Sequence, residues 1–151
     1  MPVRLKARCG YWLARKLFHR SSCVRQPRLW HWMEGQFARM ANMGDINAQS
    51  FYGHILAFRG QGLGAKEEGI RLLRLAGLGG ESKAAYQVGV FSLAGSASQS
   101  PDAAEAARWW TLAANAGHPL AAHKLVVLYE QGGPGLVADP SMAQRYRSMA
   151  I

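Results

Sequence analysis

At 151 residues, 49% hydrophobic and 18% charged, the chain has the balance of one folded domain, and no apolar run reaches the length of a membrane-spanning helix. Its net charge of +9 gathers at one end: residues 1–33 hold eight of the 18 Lys and Arg and no acid, leaving a net +1 on the rest. The basicity therefore says nothing about partners of residues 34–151, and the two cysteines, Cys9 and Cys23, are too few for a disulfide framework.

Residues 1–27 form a basic N-terminal segment. Within it, Leu5, Cys9, Trp12, Leu13 and Leu17 fall at i, i+4, i+7, i+8 and i+12, which predicts a helix over 3–19 with cations around an apolar stripe. Three readings are open: a helix capping the first of the helix pairs downstream, an arm on nucleic acid, or a helix on anionic lipid or an acidic partner. Arg15, Lys16 and Arg20 interrupt any secretory apolar core, and the segment has no small-residue cleavage site. Cytoplasmic residence is the default expectation; in a eukaryotic source the same composition suits an organelle transit peptide.

Beyond this segment, helices are predicted at 28–43, 46–59, 65–78, 82–94, 102–116, 119–131 and 140–150, and nothing alternates with the two-residue period of a strand. Trp30 and Trp32 are expected to help the N-terminal cap pack. The glycine-rich pieces at 60–64 and 132–135 fall between helix pairs, where turns are needed. Asp102 with Glu105 reads as a capping box, Asp139 followed by Pro140 as a second helix start, Gly117 as a left-handed C-terminal cap and Pro119 as the opening of the next helix.

The pairs repeat. Gly44, Gly80 and Gly117 are 36 and 37 residues apart. Four residues after each comes Ala48, Ala84 or Ala121; eight after comes Tyr52, Val88 or Leu125; nine after comes Gly53, Gly89 or Val126. Four residues before each sits Met40, Ala76 or Ala113, and seven before sits Phe37, Leu73 or Trp110. A fourth copy begins at Asp139, where Ala143 and Tyr146 match Ala106 and Trp109. The expected organisation is repeats over 28–64, 65–101, 102–138 and a partial 139–151, each too small to bury a core alone. In this scheme Ala113, Ala114 and Ala121 let helices approach closely while Trp109, Trp110 and Leu125 fill the groove to the next unit.

The stretch from Ala106 to Leu125, written Ala-x-x-Trp-Trp-x-x-Ala-Ala-x-x-Gly-His-x-x-Ala-x-x-x-Leu and followed by Tyr129, Gly132 and Asp139, resembles the Sel-1-like repeat, a relative of the tetratricopeptide repeat. The first unit shares Met40, Ala41, Gly44, Ala48 and Gly53; in the second, Gly77 and Ser92 stand where alanine and tyrosine are the pattern. The resemblance spans 28–151 and implies an all-α, right-handed α-solenoid of about three helix hairpins plus a C-terminal capping helix, used as a non-enzymatic scaffold for a protein or peptide. A secreted branch of the family carries a disulfide in each unit; no cysteine lies in these repeats.

Side chains for chemistry are sparse. His19, His31, His54, His118 and His123 are not at metal-ligand spacing, and His118 suits a turn or capping role. The Gly60–Gly64 run lacks both the preceding strand of a dinucleotide loop and the Lys-Ser or Lys-Thr of a P-loop. No catalytic site, metal, cofactor or small-molecule substrate is expected. Arg71, Arg108 and Arg145 stand 37 residues apart on the polar side of successive first helices, with Arg74 one turn from the first. First helices line the concave face in related solenoids, so these cations are candidates for holding an acidic peptide. The competing reading is that a long cation is simply acceptable on a solvated position, and Glu67, Glu68 and Glu105 weaken the ridge. An exposed Trp32 is the remaining partner-site candidate.

Overall fold

The computed structural model describes residues 2–150; Met1 and Ile151, the outer ends of the basic segment and of the partial last unit, lie outside them. The order is α1 (Pro2–Phe18), α2 (Ser21–Val24), α3 (Pro27–Asn42), α4 (Ile46–Arg59), α5 (Leu63–Leu78), α6 (Ser82–Ala94), α7 (Ala103–Asn115), α8 (Ala121–Gln131) and α9 (Pro140–Met149). Extended pairing among the described residues is limited to one bridge between Gly133 and Leu136. Each helix from α3 packs on the next, in the nearest-neighbour manner of a solenoid.

The corners show why the register is so strict. Gly44, Gly80 and Gly117 have φ of 86°, 98° and 88°, a left-handed conformation that costs a residue with a Cβ. Beyond each glycine the next amide turns back, Asp45 to the Met40 carbonyl, Glu81 to Ala76 and His118 to Ala113, satisfying groups the helix end would leave bare. The residue after the glycine then begins the second helix. Asp45 accepts from the Ala48 amide at 2.8 Å and Glu81 from the Ala84 amide at 2.6 Å.

In the third unit that position is His118, and the outcome differs from the expected helix at 119. α8 starts at Ala121 behind Leu120, which makes no side-chain cap. His118 Nδ1 receives the Leu120 amide at 3.3 Å, and with no carboxylate to collect the next amides the chain makes a further turn first. The capping box at Asp102 is also only half formed. Asp102 accepts from the Glu105 amide at 2.9 Å, but its own amide donates to the Ser92 carbonyl at 2.8 Å while the Glu105 carboxylate turns elsewhere. Asp139 caps α9 as expected, accepting from the Ser141 and Met142 amides with Pro140 at the first position.

Glycines in the first two second helices receive a bulky residue from the next first helix, whereas α8 has Val126 at that register. A Cβ at Gly53 would lie 3.0 Å from Leu73 Cγ, and one at Gly89 would overlap the Trp110 indole. Trp110 is fully buried and its Nε1 donates to the Tyr86 carbonyl at 3.1 Å. Ala48, Ala76, Ala84, Ala106, Ala113, Ala121 and Leu125 are wholly buried, and Trp109 nearly so; Ala114 and Tyr129 are half-buried at the edge of the same packing.

Buried side chains form three pools: one from Leu73 to Tyr146, one around Met40, Ala48 and Leu72, and one around Ala14, Met33, Phe37 and Ile55. α1 belongs to the last two, with the reverse of the orientation its apolar stripe suggests. Ala7 and Ala14 are buried with Tyr11 and Phe18 beside them, whereas Leu5, Cys9, Trp12 and Leu13 of the stripe face outward and its last member, Leu17, is half-buried against the core. Gly10 explains the choice, because a Cβ there would overlap the Gln36 amide: the small face lets α1 come close to α3, which the bulky face cannot. Trp30 packs near Phe18, with ring centroids 6.2 Å apart, while Trp32 stays exposed, so only one of the two tryptophans joins the cap.

Candidate functional site

α5, α7 and α9 carry Arg71, Arg108 and Arg145 at matching register, all exposed. Arg71 forms a bidentate pair with Glu68 one turn earlier, 2.8 Å from Nε and 2.7 Å from Nη2. The bond holds the Glu68 carboxyl below the usual range and raises the Arg71 guanidinium. Both partners are solvent-accessible, so the pair adds little stability and can be exchanged for another anion. Arg108 and Arg145 form no ion pair with any described residue.

Arg74 is placed differently. Its guanidinium reaches Glu105 at 3.2 Å and Gln99 at 3.0 Å, and Gln99 in turn donates to Glu105 at 3.1 Å. Glu105 also accepts from Trp109 Nε1 at 3.3 Å. Arg74 thus ties α5 to α7 and to the loop after α6. The structure brings Arg71 and Arg74 together on one open groove of about 340 Å³, shared with Glu67, Phe91, Ser96 and Gln99. Arg108, Arg145 and Trp32 do not line it. Trp32 lies on α3, 39% exposed, where later units have Glu68 and Glu105.

No group of three or more His, Cys, Asp or Glu among the described residues is placed to hold a metal ion. Of the 60–64 glycine run, residues 60–62 make the turn between helices: Gly60 ends α4, Gly62, at φ 84°, precedes α5, and Gly64 already lies in the first turn of α5, which begins two residues before the expected 65. Burial beside Glu34 pushes the Tyr52 hydroxyl up to about 12, a donor locked in its neutral form.

His118 stacks on Tyr86, ring centroids 4.2 Å apart. Burial lowers its pKa below 6.5; Glu81 opposes the shift and Lys83 adds to it. A histidine so depressed binds fewer protons in the fold than in the unfolded chain. Its contribution to stability is therefore full above about pH 6.5 and is lost as pH falls toward the folded value. His118→Asn keeps a capping side chain and removes the proton site. We expect denaturant titrations between about pH 7 and pH 5 to show stability falling more steeply in the wild type than in H118N. Equal slopes would assign the acid sensitivity elsewhere.

Sequence reasoning missed the Gln99–Arg74–Glu105 link and the outward face of α1. The first joins side chains 25 and 31 residues from one another across a loop, which no local spacing encodes. The second had a signal in Ala7, Gly10 and Ala14, whose small size marks the side that approaches a neighbour.

No helix among the described residues is long and apolar enough to cross a membrane. No family model matches the sequence, and no curated protein matches it. Among solved structures, the chain is similar to a Sel1 repeat protein from Oxalobacter formigenes, 31% identical over 76% of this chain and 84% of that one, with a TM-score of 0.62. It is also similar to c5321, a protective antigen of uropathogenic Escherichia coli displaying an SLR fold: 23% identity, TM-score 0.77, 95% of this chain but 30% of the other. The second likeness concerns the fold, and this chain spans under a third of that protein's length.

Proposed function

The chain belongs to the Sel1 repeat family, and on that ground we propose that it works by binding: a short α-solenoid scaffold that holds an acidic protein or peptide segment across its first helices. The repeat domain in this reading is 28–151, and no chemistry is asked of it. The observation that carries the proposal is the division of labour within each unit. Recurring positions such as Ala76, Ala113 and Trp110 are consumed by packing, while Arg71, Arg108 and Arg145 recur in the same register and stay exposed. An array of cations at one-unit spacing matches an extended anionic segment better than a compact ligand. Trp32 supplies an exposed indole at the first-unit end, and the Arg71–Arg74 groove a polar edge. The free thiols Cys9 and Cys23 suit a reducing, cytoplasmic setting.

The test is a titration of the full chain with a set of fluorescent Glu- and Asp-rich peptides, read by anisotropy. Reversing Arg71, Arg108 and Arg145 to Glu should weaken binding about tenfold or more, since each reversed charge at a rim contributes of order 0.2–1 kcal/mol or above. The thermal midpoint should stay within a few degrees, because all three side chains are exposed. Unchanged affinity would remove these arginines from the site.

A further inference from the structure

We propose that the outward face of α1 is a docking surface for an anionic lipid bilayer, separate from the peptide-binding face of the repeats. Leu5, Cys9, Trp12, Leu13 and Lys16 share one side of the helix, with Leu5 66% and Trp12 58% exposed. The opposite side is already spent on the first repeat through Ala7, Tyr11, Ala14 and Phe18. The apolar strip therefore has no role in holding the fold.

Cations flank it. Arg4, Lys6 and Arg8 are exposed around the first turns, Arg15 lies at the seam with its guanidinium 5.0 Å from the Phe51 ring centroid, and Lys16 Nζ sits 4.2 Å from the Trp12 ring centroid. Arg20 and Arg25 continue the basic surface past α1, and the first acid of the chain is Glu34. Leucine and tryptophan side chains between long cations are what a helix lying in the headgroup region requires: apolar groups enter the acyl boundary while cations reach the phosphates.

Charge complementarity separates this occupant from the others. A second copy would bring two acid-free basic helices together, with like charges opposed. A nucleic acid would satisfy the cations but leave Leu5 and Leu13 in water, gaining nothing from them. Of these three occupants, an anionic bilayer alone uses both halves of the face.

The experiment is flotation of the full chain with vesicles of phosphatidylcholine containing about a quarter phosphatidylglycerol, compared with pure phosphatidylcholine. Expected is binding to the anionic vesicles at least tenfold tighter than to neutral ones, and a similar tenfold loss for Leu5→Gln with Leu13→Gln. These positions are exposed, and circular dichroism of the variant should match the wild type. Trp12→Phe provides an independent readout: brominated lipid should quench tryptophan fluorescence in the wild type and markedly less in W12F. Absence of phosphatidylglycerol-dependent flotation overturns the proposal. So does binding to vesicles and to a DNA duplex of ~20 base pairs that the leucine substitutions leave unchanged. Self-association abolished by those substitutions, without vesicle binding, assigns the face to a second copy and likewise overturns it.

Discussion

Trp110→Ala is expected to lower the midpoint of thermal unfolding by roughly 10–15 °C. The indole is among the largest fully buried side chains, seated on Gly89 of the preceding second helix. Removing it takes away burial of an aromatic group, leaves a void between α6 and α7, and removes the indole donor that the Tyr86 carbonyl accepts from across the joint. Changes of this kind cost about 3–5 kcal/mol, and in a chain of this size each kcal/mol moves the midpoint by about 2–4 °C. Trp110→Phe keeps an aromatic ring at the joint but loses the five-membered part of the indole that sits against Gly89 together with its 3.1 Å hydrogen bond, so about half of the effect should remain. Calorimetry on the three proteins decides it; a midpoint for W110A within ~2 °C of wild type would mean the joint between these units is not held by this side chain.

The second large effect comes as a pair of opposite sign. Gly69 and Gly35 both lie inside helices, and in a helix alanine is preferred to glycine by about 0.8–1.0 kcal/mol. A Cβ at Gly35 meets nothing within 4 Å, so Gly35→Ala should stabilise by close to that amount. At Gly69 a Cβ would lie 2.6 Å from the Ala57 amide nitrogen and 2.7 Å from the Gly53 carbonyl oxygen. Those neighbours are backbone and cannot rotate away, so α4 and α5 must separate. Gly69→Ala should then destabilise by about 1–3 kcal/mol despite the better helix former. Urea titrations of both variants measure the signs directly, and a stabilising G69A would refute the close crossing of these helices.

Most of the fold is legible in the sequence because it depends on residue size at fixed spacing. The corner glycines need φ above zero, the alanines four residues on need to be small, and both constraints survive in a bare sequence as periodic Gly and Ala. The features that escape it depend on partners that spacing does not reveal. The apolar stripe orients α1 by its bulkiest residues, although a helix packs closest through its smallest, here Ala7, Gly10 and Ala14. One turn of sequence suggests the Asp102–Glu105 box, yet Glu105 has Arg74 from the previous unit available and Asp102 has the Ser92 carbonyl. Pro119 looks like a helix start, but the capping residue before it is a histidine with one acceptor. For the candidate site, exposure of Arg71, Arg108 and Arg145 follows from their register, whereas the Glu68 and Glu105 pairings depend on which rotamers the neighbours leave open.

The partition of the interior into three pools has a kinetic consequence. The pool from Leu73 to Tyr146 runs unbroken through the last three first helices, so amide protons of α7 should exchange only when that whole block opens. α1 to α3 rest on two smaller aromatic and methionine-bearing pools shared with α4 and α5, and their amides should exchange at lower opening free energy than those of α7. Opening of that end would part Phe51 on α4 from Phe18 and Phe37, so the partly opened species should carry an exposed aromatic surface that favours aggregation.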